Sequence, residues 1–114
     1  MSSKKELIKG HVQTVVMKLL SQREMYGYQI IQSLKEKSVG IFDLSEGTLY
    51  PILHQLETQK AVESFWTESS EGRKRKFYRL TDSGIALLVE KEKEWRGFQH
   101  AMEAMLTGTS FQGV

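Results

Sequence analysis

The apolar positions of this chain follow a helical period, then an alternating one, then a helical one again. Leu7, Ile8, Val12, Val15, Val16, Leu19 and Leu20 predict a first helix from Glu6 to about Gln22. Gly10 lowers local helix propensity by about 1 kcal/mol relative to alanine, so this helix is weakest near its start. Residues 1–5 read as a frayed basic tail. Tyr26-Gly27-Tyr28 punctuates the chain, and Ile30, Ile31 and Leu34 mark a shorter second helix over about 27–37. A turn follows from Ser38 to Asp43, with Val39, Ile41 and Phe42 expected to pack it down. Leu49, Ile52, Leu53 and Leu56 then fall at i, i+3, i+4 and i+7, one buried face of a third helix over 45–59. Ser45, in preference to Asp43, is its candidate N-cap. Pro51 would be its sixth residue. It has no N–H for the Gly47 carbonyl, so a local distortion is expected there.

From Ala61 the pattern alternates. Ala61–Thr67 reads as a strand, Glu68–Gly72 as a polar turn and Lys74–Leu80 as the returning strand. Alternation puts Lys76, Tyr78 and Leu80 on one side and Arg75, Phe77 and Arg79 on the other. Tyr78 and Leu80 are expected to hold the hairpin against the helices. Thr81 is the N-cap of a last, long helix, with Asp82 suiting its positive end. Along it Leu88, Lys91, Trp95, Phe98, Met102 and Met105 alternate steps of three and four, a coiled-coil seam broken by one lysine. A buried unpaired charge is costly, so Lys91 implies a partly wet section. The seam is too extended for its own small domain to cover. The predicted fold class is mainly α (α+β), with a domain at 6–80, a long C-terminal helix at 81–107 and a disordered tail at 108–114.

Composition narrows the function. With 114 residues, 39% hydrophobic and 26% charged, the chain is one globular domain with a modest core. It has no apolar run of about eighteen residues and no signal-like apolar N-terminus, so no membrane association is expected. Cysteine is absent, which removes disulfides and thiolate metal sites; a cytoplasmic protein without cofactor or metal is the simplest expectation. The net charge of +2 says little, but five of the sixteen basic residues lie within 72–79. His11, His54 and His100 are far apart, and no Gly-rich phosphate loop or nucleophile elbow appears, so an enzyme is not expected.

Three helices, a hairpin and a long helix make a winged helix-turn-helix with a two-stranded wing. The second and third helices form the helix-turn-helix, and the third is the recognition helix. Its exposed face carries Thr48, Tyr50, His54, Gln55 and Thr58, groups able to meet base edges in a major groove. Arg73, Lys74, Arg75 and Lys76 fall where a wing meets phosphates. Double-stranded DNA is therefore the expected partner. The rival is a winged domain used only for protein contacts, which would not need a basic wing.

Ser45-Glu-Gly-Thr-Leu-Tyr-Pro-Ile-Leu-His-Gln-Leu-Glu57, with Gly72-Arg-Lys-Arg-Lys-Phe-Tyr-Arg-Leu-Thr-Asp-Ser-Gly84, resembles the PadR family of transcriptional regulators. Tyr26-Gly27-Tyr28-Gln29-Ile30 also looks like that family's second-helix start, and the likeness spans about 7–105. With one C-terminal helix, the chain is similar to the small PadR subfamily. The resemblance implies a homodimeric repressor with a C-terminal dimerisation helix and an inverted-repeat operator. It places Ser45, Thr48, Tyr50, Pro51 and His54 near DNA, with His54 equally readable as a surface histidine. It makes Gly72 to Arg75 the wing tip. It also implies that the first and last helices pair around a two-fold axis, through Val12, Val15, Leu19, Leu88, Trp95, Phe98, Met102 and Met105. Some small members bind flat aromatic drugs between paired tryptophans there, which makes Trp95 a candidate for a small aromatic effector.

Overall fold

The computed structural model describes residues 8–108. The tails expected at 1–5 and beyond Gly108, and the helix start at Glu6, lie outside the described residues. The elements are α1 (Val12–Gln22), β1 (Met25–Tyr26), α2 (Gly27–Lys37), α3 (Glu46–Thr58), β2 (Val62–Glu68), β3 (Lys74–Leu80) and α4 (Asp82–Thr107).

The first helix is not continuous. Residues 8 and 9 are helical, but Gly10 and His11 form a turn before α1 begins. The low helix propensity of glycine produces a break where the sequence suggested only weakness. The apolar faces of α1, α2 and α3 meet at Val16, Met17, Ile30, Leu49, Leu53 and Leu56, all essentially without solvent contact. All but Met17 are positions that the helical period marked. Leu88 brings the first part of α4 onto the same core, and Lys18 Nζ to Glu92 Oε2, 3.3 Å, ties α1 to α4 at the surface.

α2 and α3 end alike. Gly40 N–H donates to the Lys35 carbonyl and Val39 N–H to the Glu36 carbonyl; Ala61 N–H donates to Leu56 and Lys60 N–H to Glu57. Both are Schellman caps, which need a left-handed residue and usually use glycine. Here Val39 (φ +53°) and Lys60 (φ +65°) take that position. The cap turns Val39 outward, 90% exposed, and leaves Ile41 exposed. Of the three residues expected to pack the turn, only Phe42 does so, joined by Leu44.

α3 runs unbroken through Pro51. The Ser45 side chain accepts from Thr48 N–H at 3.3 Å, and the Ser45 carbonyl accepts from both Thr48 and Leu49 N–H. The expected distortion does not interrupt the helix, because only one hydrogen bond is lost and the capped first turn precedes the proline.

The sheet has three strands in the order β1-β3-β2, all antiparallel. The hairpin was legible, but β1 was not: two residues are too short to show a period. Met25 pairs with Tyr78 and Tyr26 with Phe77, so the base of the wing is clamped on its second edge.

Candidate nucleic-acid interface

The third helix presents an exposed stripe of Gly47, Tyr50, Pro51, His54 and Thr58. Ser45 and Thr48 are exposed beside it, but their hydroxyls engage each other at 3.2 Å in the cap. Tyr50 is exposed yet rests on the second helix. Its ring lies against Gly27, where an added Cβ would stand 2.3 Å from the Tyr50 hydroxyl oxygen. The glycine of Tyr26-Gly27-Tyr28 therefore makes room for the recognition helix. His54 is exposed, and its carbonyl accepts from the Thr58 hydroxyl at 3.0 Å. Gln55 turns to the other flank, where its Oε1 accepts from Gln13 Nε2 of α1.

The wing rises from the C-terminal end of this helix. Ser69 N–H donates to the Arg73 carbonyl at 2.7 Å and Gly72 N–H to the Ser69 carbonyl at 2.9 Å, with Gly72 left-handed at φ +82°. That closes a tight turn in which glycine carries no backbone strain. Register then sorts the basic residues. Ser64, Trp66 and Glu68 lie opposite Tyr78, Lys76 and Lys74 on one face; Phe65 and Thr67 lie opposite Phe77 and Arg75 on the other. The first face is the one toward α3, since the Ser64 hydroxyl donates to Glu57 Oε2 at 2.6 Å. Lys74 and Lys76 are exposed on that side, and Arg73 is exposed at the turn.

Arg75 stands apart from the other basic residues of the wing. Its guanidinium lies 4.6 Å from the centre of the Tyr26 ring, with Nη2 3.7 Å from Glu71 Oε1. Its Nε is buried with no hydrogen-bond partner among the described residues. The position is half-buried on the far face of the hairpin, because alternation turns it away from Lys74 and Lys76. Arg79, on that same face, stacks 4.6 Å over Phe65 and donates from Nε to Glu63 Oε2 at 2.7 Å. The bond to Glu63 raises its pKa further above the ordinary arginine value.

The long helix supplies a second candidate surface. Its C-terminal half carries Trp95, Phe98, Met102 and Met105, all exposed on one stripe. Trp95, Phe98 and Met102 join Ile8, Val15 and Phe42 around an open, mainly apolar cleft of about 770 Å³. Val12, Leu19 and Leu88 are not part of this surface. Each is at most 5% exposed inside the protomer core, where the inward flanks of α1 and α4 meet. Lys91 lies off the apolar cleft and lines a neighbouring one with Gln13, Thr48 and Gln55.

The Transcriptional regulator PadR-like family matches residues 16–90, from α1 through the wing into α4. The chain belongs to this family. A PadR-like transcriptional regulator from Bacillus cereus superposes with a TM-score of 0.81 at 32% identity, over 89% of this chain and 96% of that one. An uncharacterized protein of Lysinibacillus sphaericus is 32% identical over 90% of this chain and 94% of its own length. The transcriptional regulator Rv3488 of Mycobacterium tuberculosis is 30% identical over 78% of this chain and 79% of its own. This PadR-like chain is thus a winged-helix DNA-binding transcriptional regulator and not an enzyme. Among the described residues no helix is long and apolar enough to cross a membrane, and no group of three or more histidines and carboxylates could hold a metal.

Proposed function

We propose that this PadR-like regulator is a cytoplasmic homodimeric repressor whose two recognition helices read an inverted-repeat operator in successive major grooves. The observation that carries the dimer is the exposed stripe Trp95, Phe98, Met102 and Met105, apolar surface that a lone domain rarely leaves to water. Tyr50, Pro51 and His54 face the groove from the middle of α3, and Ser45 and Thr48 flank the backbone at its start. Arg73, Lys74 and Lys76 contact phosphate from the wing. Arg75 braces the wing against Tyr26 and contributes little direct contact.

The Trp95 cleft takes a flat aromatic effector, and filling it alters the spacing of the two recognition helices and releases DNA. Its apolar lining and its place beside the unpaired stripe support that reading. The test is a gel shift against the DNA upstream of the protein's own gene, with planar aromatic cations as probes, alongside sedimentation of the free protein. A two-to-one complex that a probe dissociates while quenching Trp95 is the expected result. A monomer in solution removes the dimer, and probes that move neither affinity nor fluorescence remove the effector. Absence of any shift at low salt would favour a module for protein contacts.

A further inference from the structure

Trp66 is 67% exposed in the middle of β2, a regular and well-paired strand. An indole is usually at least half withdrawn from water, so one held out on a rigid hairpin calls for a partner. Its surroundings specify the chemistry. Trp66 sits opposite Lys76, and the next position outward on the same face pairs Glu68 with Lys74. The face is the α3 side of the sheet: one step inward, Ser64 holds Glu57 of the recognition helix, and Lys76 Nζ stands 5.8 Å from the Tyr78 ring centre. The cations of the opposite face are engaged, Arg75 with Tyr26 and Glu71, Arg79 with Phe65, Glu63 and Glu24. The wing therefore offers one indole flanked by Lys74 and Lys76, exposed lysines with no ion pair among the described residues, on the side facing the recognition surface.

We propose that Trp66 is a DNA-contacting residue of the wing, its indole seated against the deoxyribose and base edges of the duplex between the phosphates held by Lys74 and Lys76. The charge around it selects a polyanion, and the surface is continuous with the α3 contact. This rests on the wing's meeting DNA. An apolar wing contact adds affinity without releasing counterions, whereas a lysine contact releases about one. The two kinds of residue are therefore separable by salt.

The test uses the full chain and a fluorescein-labelled duplex selected by the wild-type protein from a random pool. Anisotropy titrations are run across a range of potassium chloride. Trp66→Ala is expected to weaken binding about ten-fold or more at every salt concentration, from the apolar surface it loses, with the log–log salt slope unchanged. Trp66→Phe recovers most of the loss. Lys76→Ala instead flattens the slope by about 0.9. In protein labelled with 5-fluorotryptophan, the Trp66 fluorine resonance moves on adding the duplex. Wild-type affinity in Trp66→Ala with an unmoved resonance overturns the proposal, and leaves the indole to a protein partner. So does a loss accompanied by a lower melting temperature, since the effect would then be on the fold. If Lys76→Ala and His54→Ala weaken binding while Trp66→Ala does not, wing and helix contacts stand and Trp66 alone falls. If Lys74→Ala and Lys76→Ala also bind as wild type, the wing contact itself falls.

Discussion

Tyr78 shows how one side chain ties the wing to the recognition helix. It is 3% exposed, and burial, with the nearby charge of Glu57 and then Tyr50, pushes its pKa up to about 12. The folded protein thus holds the phenol proton more tightly than the unfolded chain, whose tyrosines ionise near pH 10. This contribution to stability is intact below about pH 10 and is lost as pH rises from there to about 12. By pH 11.5 the loss amounts to roughly 2 kcal/mol. Urea denaturation at pH 8 and pH 11.5 should show wild type losing about that much more stability than Tyr78→Phe. Equal losses would place the phenol in water. Val39 is the other residue under a local constraint, a β-branched side chain held at positive φ in a Schellman cap. Left-handed backbone costs an L-residue about 1–2 kcal/mol. Val39→Gly should therefore raise stability by roughly 1 kcal/mol in thermal denaturation, since the exposed side chain touches little that it would lose.

At the scale of elements, close backbone approach decides how α4 leaves the wing. Thr81 N–H donates to the Ala61 carbonyl, and the hydroxyls of Thr81 and Ser83 both donate to the Lys60 carbonyl. Gly84 makes this possible, because an added Cβ would stand 2.0 Å from the Ala61 carbonyl oxygen and 2.7 Å from Leu80 Cδ1. Gly84→Ala should destabilise by about 1–3 kcal/mol despite alanine's better helix propensity. Gly97, in the same helix with nothing near its absent Cβ, is the control: Gly97→Ala should gain up to about 1 kcal/mol. If both variants melt alike, the close approach does not constrain the fold. The third helix illustrates the same dependence on its neighbours. Its apolar face and Ser45 cap could be read from spacing alone, but that Tyr50 would rest on Gly27 could not, because the two lie on different helices.

The described residues span 60 × 32 × 23 Å, and much of that length comes from α4, whose 26 residues extend about 39 Å. The Lys60 carbonyl, at the end of the recognition helix, is fastened to the first turn of α4. Phe98, 59% exposed on the stripe and lining the Trp95 cleft, is the residue on which to test assembly. Phe98→Glu should halve the mass seen by sedimentation and weaken operator binding by an order of magnitude or more. The helical circular dichroism of the protomer should persist, since the core does not include this residue. Unchanged mass would count against this stripe as the proposed dimer contact.

Periodicity alone determined α2, α3, the hairpin and α4, because burial of one helical face or one strand face leaves its period in the sequence. It determined the capping of α3 and α4 for the same local reason: Ser45 and Thr81 satisfy N–H groups three residues away. Tertiary structure decided the rest. It clamped β1 onto β3, since two residues carry no period of their own. It drew Val12, Leu19 and Leu88 into the protomer core, although Val15 and Trp95 on the same helices line the open cleft, because the spacing of apolar residues does not say which body covers them. And it decided which face of the wing meets the recognition helix. Alternation already separates Arg75 from Lys76 in the sequence, but only the Ser64–Glu57 bond and the Tyr26 ring place Arg75 behind the sheet and leave Lys74 and Lys76 in front beside Trp66.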